Sequence, residues 1–270
     1  MTGPPRPAAD RLPSPSPPRL RRLLIGALAA GASVVVVAGC GSGGAPRFGM
    51  PDPATRAEHS TLHLWQGVFI TAMVVGALVW GLIIWSIVRY RKKPGDEELP
   101  VQTRYHLPLE ITYTVIPIII VAVIFFFVVR VENRVDRTVS DPDVTVRVEG
   151  FQWGWRFTYL APDGSTIGVP IVGNQYQNPT LTLPARETVQ LILVSDDVDH
   201  SFYVPDFLFK RDLIPGVNNK VDLYIEHTGL FQGHCAEFCG LHHADMNFRV
   251  NAVDRSRFQP QLASASGGNP

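Results

Sequence analysis

Two long apolar stretches dominate the pattern of the first half of the sequence. Residues 64–88 and 111–129 contain no charged side chain over 25 and 19 positions. As helices rising 1.5 Å per residue, both are long enough to cross a hydrocarbon core of about 30 Å. Two buried helices of a soluble protein are disfavoured, because the remaining chain is too small to cover so much apolar surface. The pattern therefore predicts a transmembrane hairpin over residues 61–131.

In the second half of the sequence, apolar and polar residues alternate in short segments. Val144, Val146 and Val148 alternate with polar residues, as expected for a half-buried strand. Further short apolar or alternating segments, separated by Pro, Gly and Asn, follow at residues 181–183, 189–194, 221–225 and 248–253. Strands at this spacing predict an all-β sandwich or barrel over residues 140–258. The small, polar tail of residues 259–270 is predicted to be disordered.

A third apolar stretch, residues 23–38, lies near the N-terminus behind a cluster of arginines. It has the length and flanks of a signal-peptide core, and small residues stand directly before Cys40. We therefore predict a lipoprotein-type signal peptide over residues 1–39, a lipid attached to Cys40, and an external segment over residues 40–60. The alternative is an ordinary membrane helix whose cysteine is incidental.

The distribution of charge gives a topology. The chain is formally neutral, but residues 1–130 hold 13 basic and 7 acidic residues, whereas residues 131–270 hold 11 and 17. The connection between the two predicted spans carries Arg89, Arg91, Lys92, Lys93 and Arg104. Because positively charged loops stay in the cytoplasm, the β domain is predicted on the external side of a bacterial plasma membrane. Its acidic character disfavours nucleic-acid binding.

Candidate metal ligands are concentrated between residues 233 and 246. This segment contains Cys235, Cys239, His243 and Met246, and His200 lies 35 residues before the first cysteine. Thiolate, thioether and imidazole together form a donor set that suits copper. One alternative is a disulfide, which external proteins tolerate, but it leaves the histidine and the methionine without a role. The other is structural zinc, whose ligands are usually only Cys and His.

The pattern Cys-x-Glu-x-Cys-x3-His-x2-Met, with its upstream histidine, resembles the dinuclear CuA site of the cytochrome c oxidase subunit II family. Two preceding spans, the segment Gln-Trp-Gly-Trp at residues 152–155 and an Asp-x-x-His motif stand in that family's order. The resemblance covers about residues 60–258. It implies a two-helix transmembrane hairpin followed by a cupredoxin-like sandwich. It also implies an electron-entry subunit of a haem-copper oxidase, which takes electrons from cytochrome c and passes them to haem in subunit I. There, oxygen is reduced to water and protons are pumped.

The resemblance implies a complete ligand set, namely His200, Cys235, the backbone carbonyl of Glu237, Cys239, His243 and Met246. The two cysteines would bridge both copper ions. One ion would be completed by His200 and Met246. The other would be completed by His243 and the Glu237 carbonyl. The Glu237 side chain is implied to bind a magnesium or manganese ion at the contact with subunit I.

Further residues gain implied roles from the same resemblance. Trp153 matches the tryptophan that receives the electron from cytochrome c; by itself it would be expected in the core. The family usually has an aromatic residue at the position of Gly154, so this chain departs from the family at the entry surface. An acidic face formed by Asp196, Asp197 and Asp199 is expected to steer a basic cytochrome c. The alternative for each acid is an ordinary solvated surface.

Glu110 stands just before the second predicted span. Its charge alone indicates an acid at the membrane interface. The segment Glu110-x2-Tyr113-Thr114-x2-Pro117 resembles the family segment whose glutamate lies at the cytoplasmic entrance of a proton pathway. It departs from the family in having Tyr113 where a tryptophan is frequent. The implied partners of the chain are subunit I and other oxidase subunits, cytochrome c and membrane lipid.

Other copper proteins share parts of the pattern. A copper chaperone of the Sco type has a Cys-x3-Cys motif, but its fold continues long after it, and only 31 residues follow Cys239 here. Quinol oxidase subunit II shares the architecture but normally lacks the two cysteines. Nitrous oxide reductase carries a similar motif in a soluble enzyme with a further catalytic domain. The copper chaperone is the alternative function.

Overall fold

The computed structural model describes residues 46–95, 102 and 104–258. The predicted signal peptide, Cys40 and the predicted disordered tail lie outside the described residues. The chain divides into two units, Met1–Pro46 and Arg47–Pro270. The described residues belong almost entirely to the second unit.

Two long helices correspond to the first two apolar stretches. Helix α1 spans His59–Arg89 and helix α2 spans Leu107–Val135. Both are long and apolar enough to cross a membrane, and most of their large apolar side chains are exposed. An uncovered apolar surface of this length is what a membrane-spanning segment presents to lipid. Pro117 lies inside α2.

Ten strands follow the helices and form the external domain. They are β1 Val144–Phe151, β2 Gly154–Leu160, β3 Thr166–Asn174, β4 Thr180–Pro184, β5 Thr188–Ser195, β6 His200–Val204, β7 Phe209–Leu213, β8 Asn219–Tyr224, β9 Gly229–Cys235 and β10 Asn247–Val253. One five-stranded sheet has the order β3-β2-β1-β5-β8, and the other has the order β4-β10-β9-β6-β7. The predicted fold class, a membrane hairpin followed by an all-β sandwich, is confirmed.

The core of the sandwich lies between the two sheets. Val146 and Val148 of β1 are fully buried and alternate with more exposed residues, as the sequence pattern predicts. Large aromatic side chains fill the centre, where Trp155 packs against Phe248 and Phe248 stacks on Phe202. Rings of this size bury a large apolar area and dominate the energetics of such a core. They lie directly beneath the loop that contains the candidate ligands.

The ends of the membrane hairpin contact the sandwich. Thr55, before α1, forms a β-bridge with Ile225 after β8. Asp136, at the end of α2, forms an ion pair with Arg211 of β7. Glu58 is buried at the start of α1 and accepts a hydrogen bond from the Thr61 hydroxyl at 2.7 Å. Both ends of the hairpin are therefore attached to the external domain.

Candidate metal centre

Strand pairing brings the distant histidine to the cysteine loop. His200 is the first residue of β6, and Cys235 is the last residue of β9. These strands are antiparallel neighbours, with Phe202 opposite Cys235. Cys239, His243 and Met246 lie on the loop between β9 and β10, which closes through a hydrogen bond from the Cys235 N–H to the Met246 carbonyl at 3.0 Å. A rigid sheet thus holds both sides of the site.

The six predicted ligand atoms form one cluster. Cys235 Sγ lies 3.9 Å from Cys239 Sγ, 3.8 Å from His200 Nδ1 and 3.3 Å from the Glu237 carbonyl oxygen. Cys239 Sγ lies 3.6 Å from His243 Nδ1 and 3.4 Å from Met246 Sδ. Metal–ligand bonds of about 2.0–2.3 Å in a tetrahedral arrangement place neighbouring ligand atoms about 3.3–3.8 Å apart. The residues present therefore fit a metal centre.

The chemistry of these atoms favours copper. Both cysteines are free and buried, and their sulfur atoms are too far apart for a disulfide, which needs a bond of about 2.05 Å. Met246 is only 1% exposed, so its thioether belongs to the dry interior of the site. Two thiols, two imidazoles and a thioether form a soft donor set of the kind that selects copper over the oxygen-preferring cations.

The thiols interact strongly with each other. Burial alone would raise the pKa of Cys235, but contacts with His200 and with the backbone at Glu237 and Ser201 bring the pKa down to about 7. Burial, followed by the negative charge of Cys235, raises the pKa of Cys239 to about 12. The pair therefore carries at most one negative charge near neutral pH, and a bound cation would favour ionisation of both thiols.

Asp197 fixes the orientation of the buried histidine. Its Oδ1 lies 2.8 Å from His200 Nε2, and its Oδ2 accepts a hydrogen bond from the Gln152 N–H at 2.6 Å. The other ring nitrogen, Nδ1, faces Cys235. A carboxylate on the distal nitrogen commonly selects the tautomer of a metal-binding histidine. The sequence pattern suggested only a docking role for Asp197; its spacing of three residues from His200 was the available signal.

Gly150 is a further residue that sequence reasoning missed. A Cβ atom at this position would lie 2.9 Å from His200 Cγ and 3.0 Å from His200 Cβ. The imidazole therefore packs directly against the backbone of β1, and only glycine leaves room for it. A glycine within a strand that otherwise alternates β-branched and polar residues was the signal that could have indicated this close approach.

Trp153 lies beside the cysteine loop. Its indole N–H donates to the Cys239 carbonyl at 3.1 Å, and the Gln152 side-chain amide donates to the same oxygen at 2.8 Å. The indole ring is half-buried and meets the edge of the His242 ring at a centroid distance of 5.1 Å. The tryptophan is therefore connected to the candidate ligand Cys239 by one hydrogen bond.

The structure explains why a glycine, Gly154, follows Trp153. A Cβ atom at Gly154 would lie 2.2 Å from the Gly173 carbonyl oxygen on β3. The backbone of β3 thus occupies the space that a side chain at residue 154 would need, so this packing accommodates only glycine there.

The remaining predicted residues have different surroundings. Asp196 pairs with Arg156 at 3.2 Å, whereas Asp199 is exposed beside His200. The Glu237 carboxylate lies 3.3 Å from Lys210 Nζ. Glu110 is remote from the cluster, in the first turn of α2, where its carboxylate accepts the His106 N–H at 2.9 Å. The His106 ring in turn accepts a hydrogen bond from the Leu109 N–H at 3.3 Å, and the two contacts together cap the start of the helix.

Fold and site together define a membrane-anchored, cupredoxin-like metal-binding protein. The family model of the cytochrome c oxidase subunit II periplasmic domain matches residues 144–253, and that of the subunit II transmembrane domain matches residues 45–131. The chain belongs to the cytochrome c oxidase subunit II family. It is therefore part of a haem-copper oxidase, an oxidoreductase, with a CuA-type domain outside the membrane.

Individual relatives agree with the family models. The probable cytochrome c oxidase subunit 2 of Streptomyces avermitilis is 40% identical over 276 residues, covering 90% of this chain and 86% of the relative. Cytochrome c oxidase subunit 2 of Mycobacterium tuberculosis is 35% identical over 302 residues, covering 92% and 83%. The crystal structure of the periplasmic domain of subunit II of cytochrome oxidase (CoxB) of Bradyrhizobium japonicum is 29% identical, covers 47% of this chain and 96% of that chain, and superposes with a TM-score of 0.42.

Proposed function

We propose that this chain is the electron-entry subunit of its oxidase. It accepts electrons from cytochrome c at a dinuclear CuA centre and passes them to haem in subunit I, for oxygen reduction coupled to proton pumping. The observation that carries the proposal is the convergence of two cysteine sulfurs, two histidine Nδ1 atoms, a thioether and the Glu237 carbonyl. When bound, the copper pair supplies reversible one-electron chemistry.

The protein contributes rigidity and exclusion of water. His200 and Cys235 are held by paired strands, and the loop carrying Met246 is tied back to Cys235 by a backbone hydrogen bond. All three side chains are buried. Ligands fixed by a packed scaffold move little when the charge of the site changes, which favours fast electron exchange.

Electron entry is assigned to Trp153. Its half-buried ring offers a surface to a donor protein, and its N–H bond to the Cys239 carbonyl connects that surface directly to a ligand-bearing residue. We assign donor docking to the neighbouring acids Asp196, Asp197 and Asp199. Among them, Asp197 also holds His200, whereas Asp199 is exposed for contact with a cationic donor.

The Glu237 carboxylate is proposed to contribute to a magnesium or manganese site shared with subunit I. Its backbone carbonyl faces Cys235 while its side chain is half-exposed beside Lys210. One residue can therefore serve the copper centre with its backbone and a second, oxygen-preferring cation with its side chain. Manganese paramagnetic resonance on the assembled oxidase, with and without Glu237→Gln, tests this assignment.

Two assignments concern the membrane. Glu110, at the loop end of α2, is proposed to serve proton uptake, and a pumping measurement on Glu110→Gln in the assembled oxidase tests it. Because Glu110 also caps α2 through the His106 N–H, the helix content of the variant must be compared with that of the unmodified chain. Cys40 is proposed to carry a lipid anchor, which the intact mass of the mature chain tests.

Copper analysis of the full chain, purified in detergent, tests the central proposal. We expect two copper ions per chain and a mixed-valence electron paramagnetic resonance spectrum in which one unpaired electron is shared by both ions. One copper per chain with a blue-copper spectrum would contradict it. Cys235→Ser should abolish the centre, and Met246→Leu should alter its spectrum. His234→Gln is the matched control, because its ring packs on Tyr203 and forms no hydrogen bond with the cluster among the described residues.

A further inference from the structure

A groove runs between the two helices at their external ends. It has a volume of about 500 Å³, and Val68 and Thr71 of α1 face Val123 and Phe127 of α2 across it. Gly67 widens it, since a Cβ atom at this position would meet nothing within 4 Å. The side chains that line the middle of the groove are mostly apolar. They belong to the parts of both helices that can span a membrane.

Two arginines stand at the outer end of this groove. Arg130 and Arg134 both line it and lie four residues apart, on one face of α2. Arg134 donates to the Ser60 hydroxyl, and the Arg130 guanidinium lies 5.0 Å from the centre of the Phe126 ring. In the part of the chain that the structure describes, no carboxylate is within ion-pair distance of either guanidinium.

The nearby acids do not neutralise these charges. Asp136 pairs with Arg211, and Glu132 lies roughly 200° around the helix from Arg130. The helix end leads into the domain that matches a periplasmic family model, so it lies on the side where segments flanking a membrane span carry few basic residues. Both guanidinium groups are exposed and have no described carboxylate partner, so they present positive charge that an anionic group can bind.

We propose that the groove binds an anionic glycerophospholipid. Its phosphate would pair with the guanidinium groups of Arg130 and Arg134, whose forked donors suit phosphate oxygens. One acyl chain would lie in the apolar part of the groove beside Gly67. Charge and shape support the same occupant, because a zwitterionic lipid would leave the two arginines partly uncompensated.

Lipid titration of the full chain, delipidated in detergent, tests the proposal. Labelled phosphatidylglycerol is expected to bind at least about tenfold more tightly than labelled phosphatidylcholine, since two arginines act on the anionic headgroup. Arg130→Gln with Arg134→Gln should bring phosphatidylglycerol down to the affinity of phosphatidylcholine. Arg137→Gln, which removes an arginine that does not line the groove, is the matched control. Equal affinities for the two lipids in the unmodified chain would overturn the proposal.

A second variant and a cross-link separate the lipid from other occupants. Gly67→Leu keeps both arginines but fills the groove, so it should weaken the binding of both lipids. A photoreactive residue at position 71, placed in the assembled oxidase, should cross-link to phospholipid. Cross-linking to another subunit instead would show that a protein helix fills the groove and would refute the lipid site.

Discussion

Asp197 Oδ1 lies 2.8 Å from His200 Nε2 and thereby leaves Nδ1 of the same ring facing Cys235. The carboxylate is itself held by the Gln152 N–H, which belongs to a segment 45 residues earlier in the chain. Burial would raise the pKa of Asp197, but the hydrogen bonds from His200, Val198 and Gln152 lower it below its ordinary value. The aspartate therefore remains charged and keeps its hydrogen bond to the imidazole.

Asp197→Asn is expected to weaken copper binding about 10-fold to 100-fold, because an amide holds the imidazole N–H less strongly than a carboxylate does. Copper competition against a chelator of known affinity measures the change. Asp199→Asn removes a neighbouring exposed charge and should leave the copper affinity close to that of the unmodified chain. Equal losses in both variants would mean that charge alone, and not the contact with His200, is responsible.

Gly150→Ala is expected to disturb the copper site by displacing the His200 ring. The new methyl group would stand about 2.9 Å from His200 Cγ, closer than real contacts allow, and the fully buried ring has little room to move. Overpacking of this kind costs about 1–3 kcal/mol in stability. Thermal unfolding and the copper spectrum should both change. Gly67→Ala, whose methyl group meets nothing within 4 Å, is the control for the copper spectrum and should leave that spectrum unchanged.

The sequence predicts the parts of this molecule that depend on local pattern. Both membrane helices follow from uninterrupted apolar runs, and β1 follows from strict alternation. Four ligands of the candidate centre, Cys235, Cys239, His243 and Met246, stand within twelve consecutive residues, so their types and spacing are visible without a fold. His200 is also visible, because its motif has a recognisable place in the family order.

What the sequence does not predict depends on contacts between distant segments. The role of Asp197 rests on Gln152, and the need for glycine at residue 150 rests on a ring 50 residues later. The sequence pattern did not predict strand β7, because Lys210, Arg211 and Asp212 interrupt the alternation of apolar and polar residues. In the fold these three residues form ion pairs. Pairing of this kind is decided by tertiary structure, and an isolated sequence window carries no sign of it.

Removal of copper should lower stability without unfolding the sandwich. The aromatic cluster of Trp155, Phe202 and Phe248 is fully buried between the two sheets and should keep the fold. A metal that binds only the folded state adds about 4 kcal/mol when its free concentration is a thousandfold above its Kd. After chelation we expect a lower Tm and a near-ultraviolet circular dichroism spectrum that keeps its aromatic bands. Loss of those bands would show that the metal holds the core together.

The buried Glu58 predicts a dependence of stability on pH. Burial raises the pKa of Glu58 to about 7 from an ordinary value of 4.5, although Thr61 and Arg211 act to lower it. Between these values the folded state holds a proton that the unfolded state has lost, so stability falls as pH rises from 4.5 to 7 and is level above that range. Glu58→Gln should remove this slope and stabilise the chain by up to about 3 kcal/mol above pH 7.

Unfolding of the full chain in mild detergent, measured from pH 5 to pH 8 for both forms, gives the contribution of Glu58 as a difference. Other titrating groups, including those of the metal site, cancel in that difference. Glu226→Gln alters a more exposed acid of the same junction and should keep the slope of the unmodified chain. A stability difference between Glu58→Gln and the unmodified chain that does not vary with pH would refute the raised pKa.

Asp199→Asn is expected to slow the reaction with a basic cytochrome c without changing the copper centre. Asp199 is exposed beside the candidate ligand His200, so a cationic donor that docks at the proposed metal centre would interact with this carboxylate. An exposed ion pair contributes about 0.2–1 kcal/mol, which corresponds to a loss of about 1.5-fold to fivefold in the second-order rate constant. Stopped-flow reduction of the chain at an ionic strength of about 0.1 M measures it.

A control with the same change in net charge makes this prediction specific. Asp163 is exposed in the turn between β2 and β3, at the opposite end of β2 from Trp153. A strand of this length places it about 20 Å away, which is twice the screening length of about 10 Å at 0.1 M salt. Asp163→Asn should therefore leave the rate unchanged. If both variants slow the reaction equally, the donor responds to net charge and not to a docking contact at Asp199.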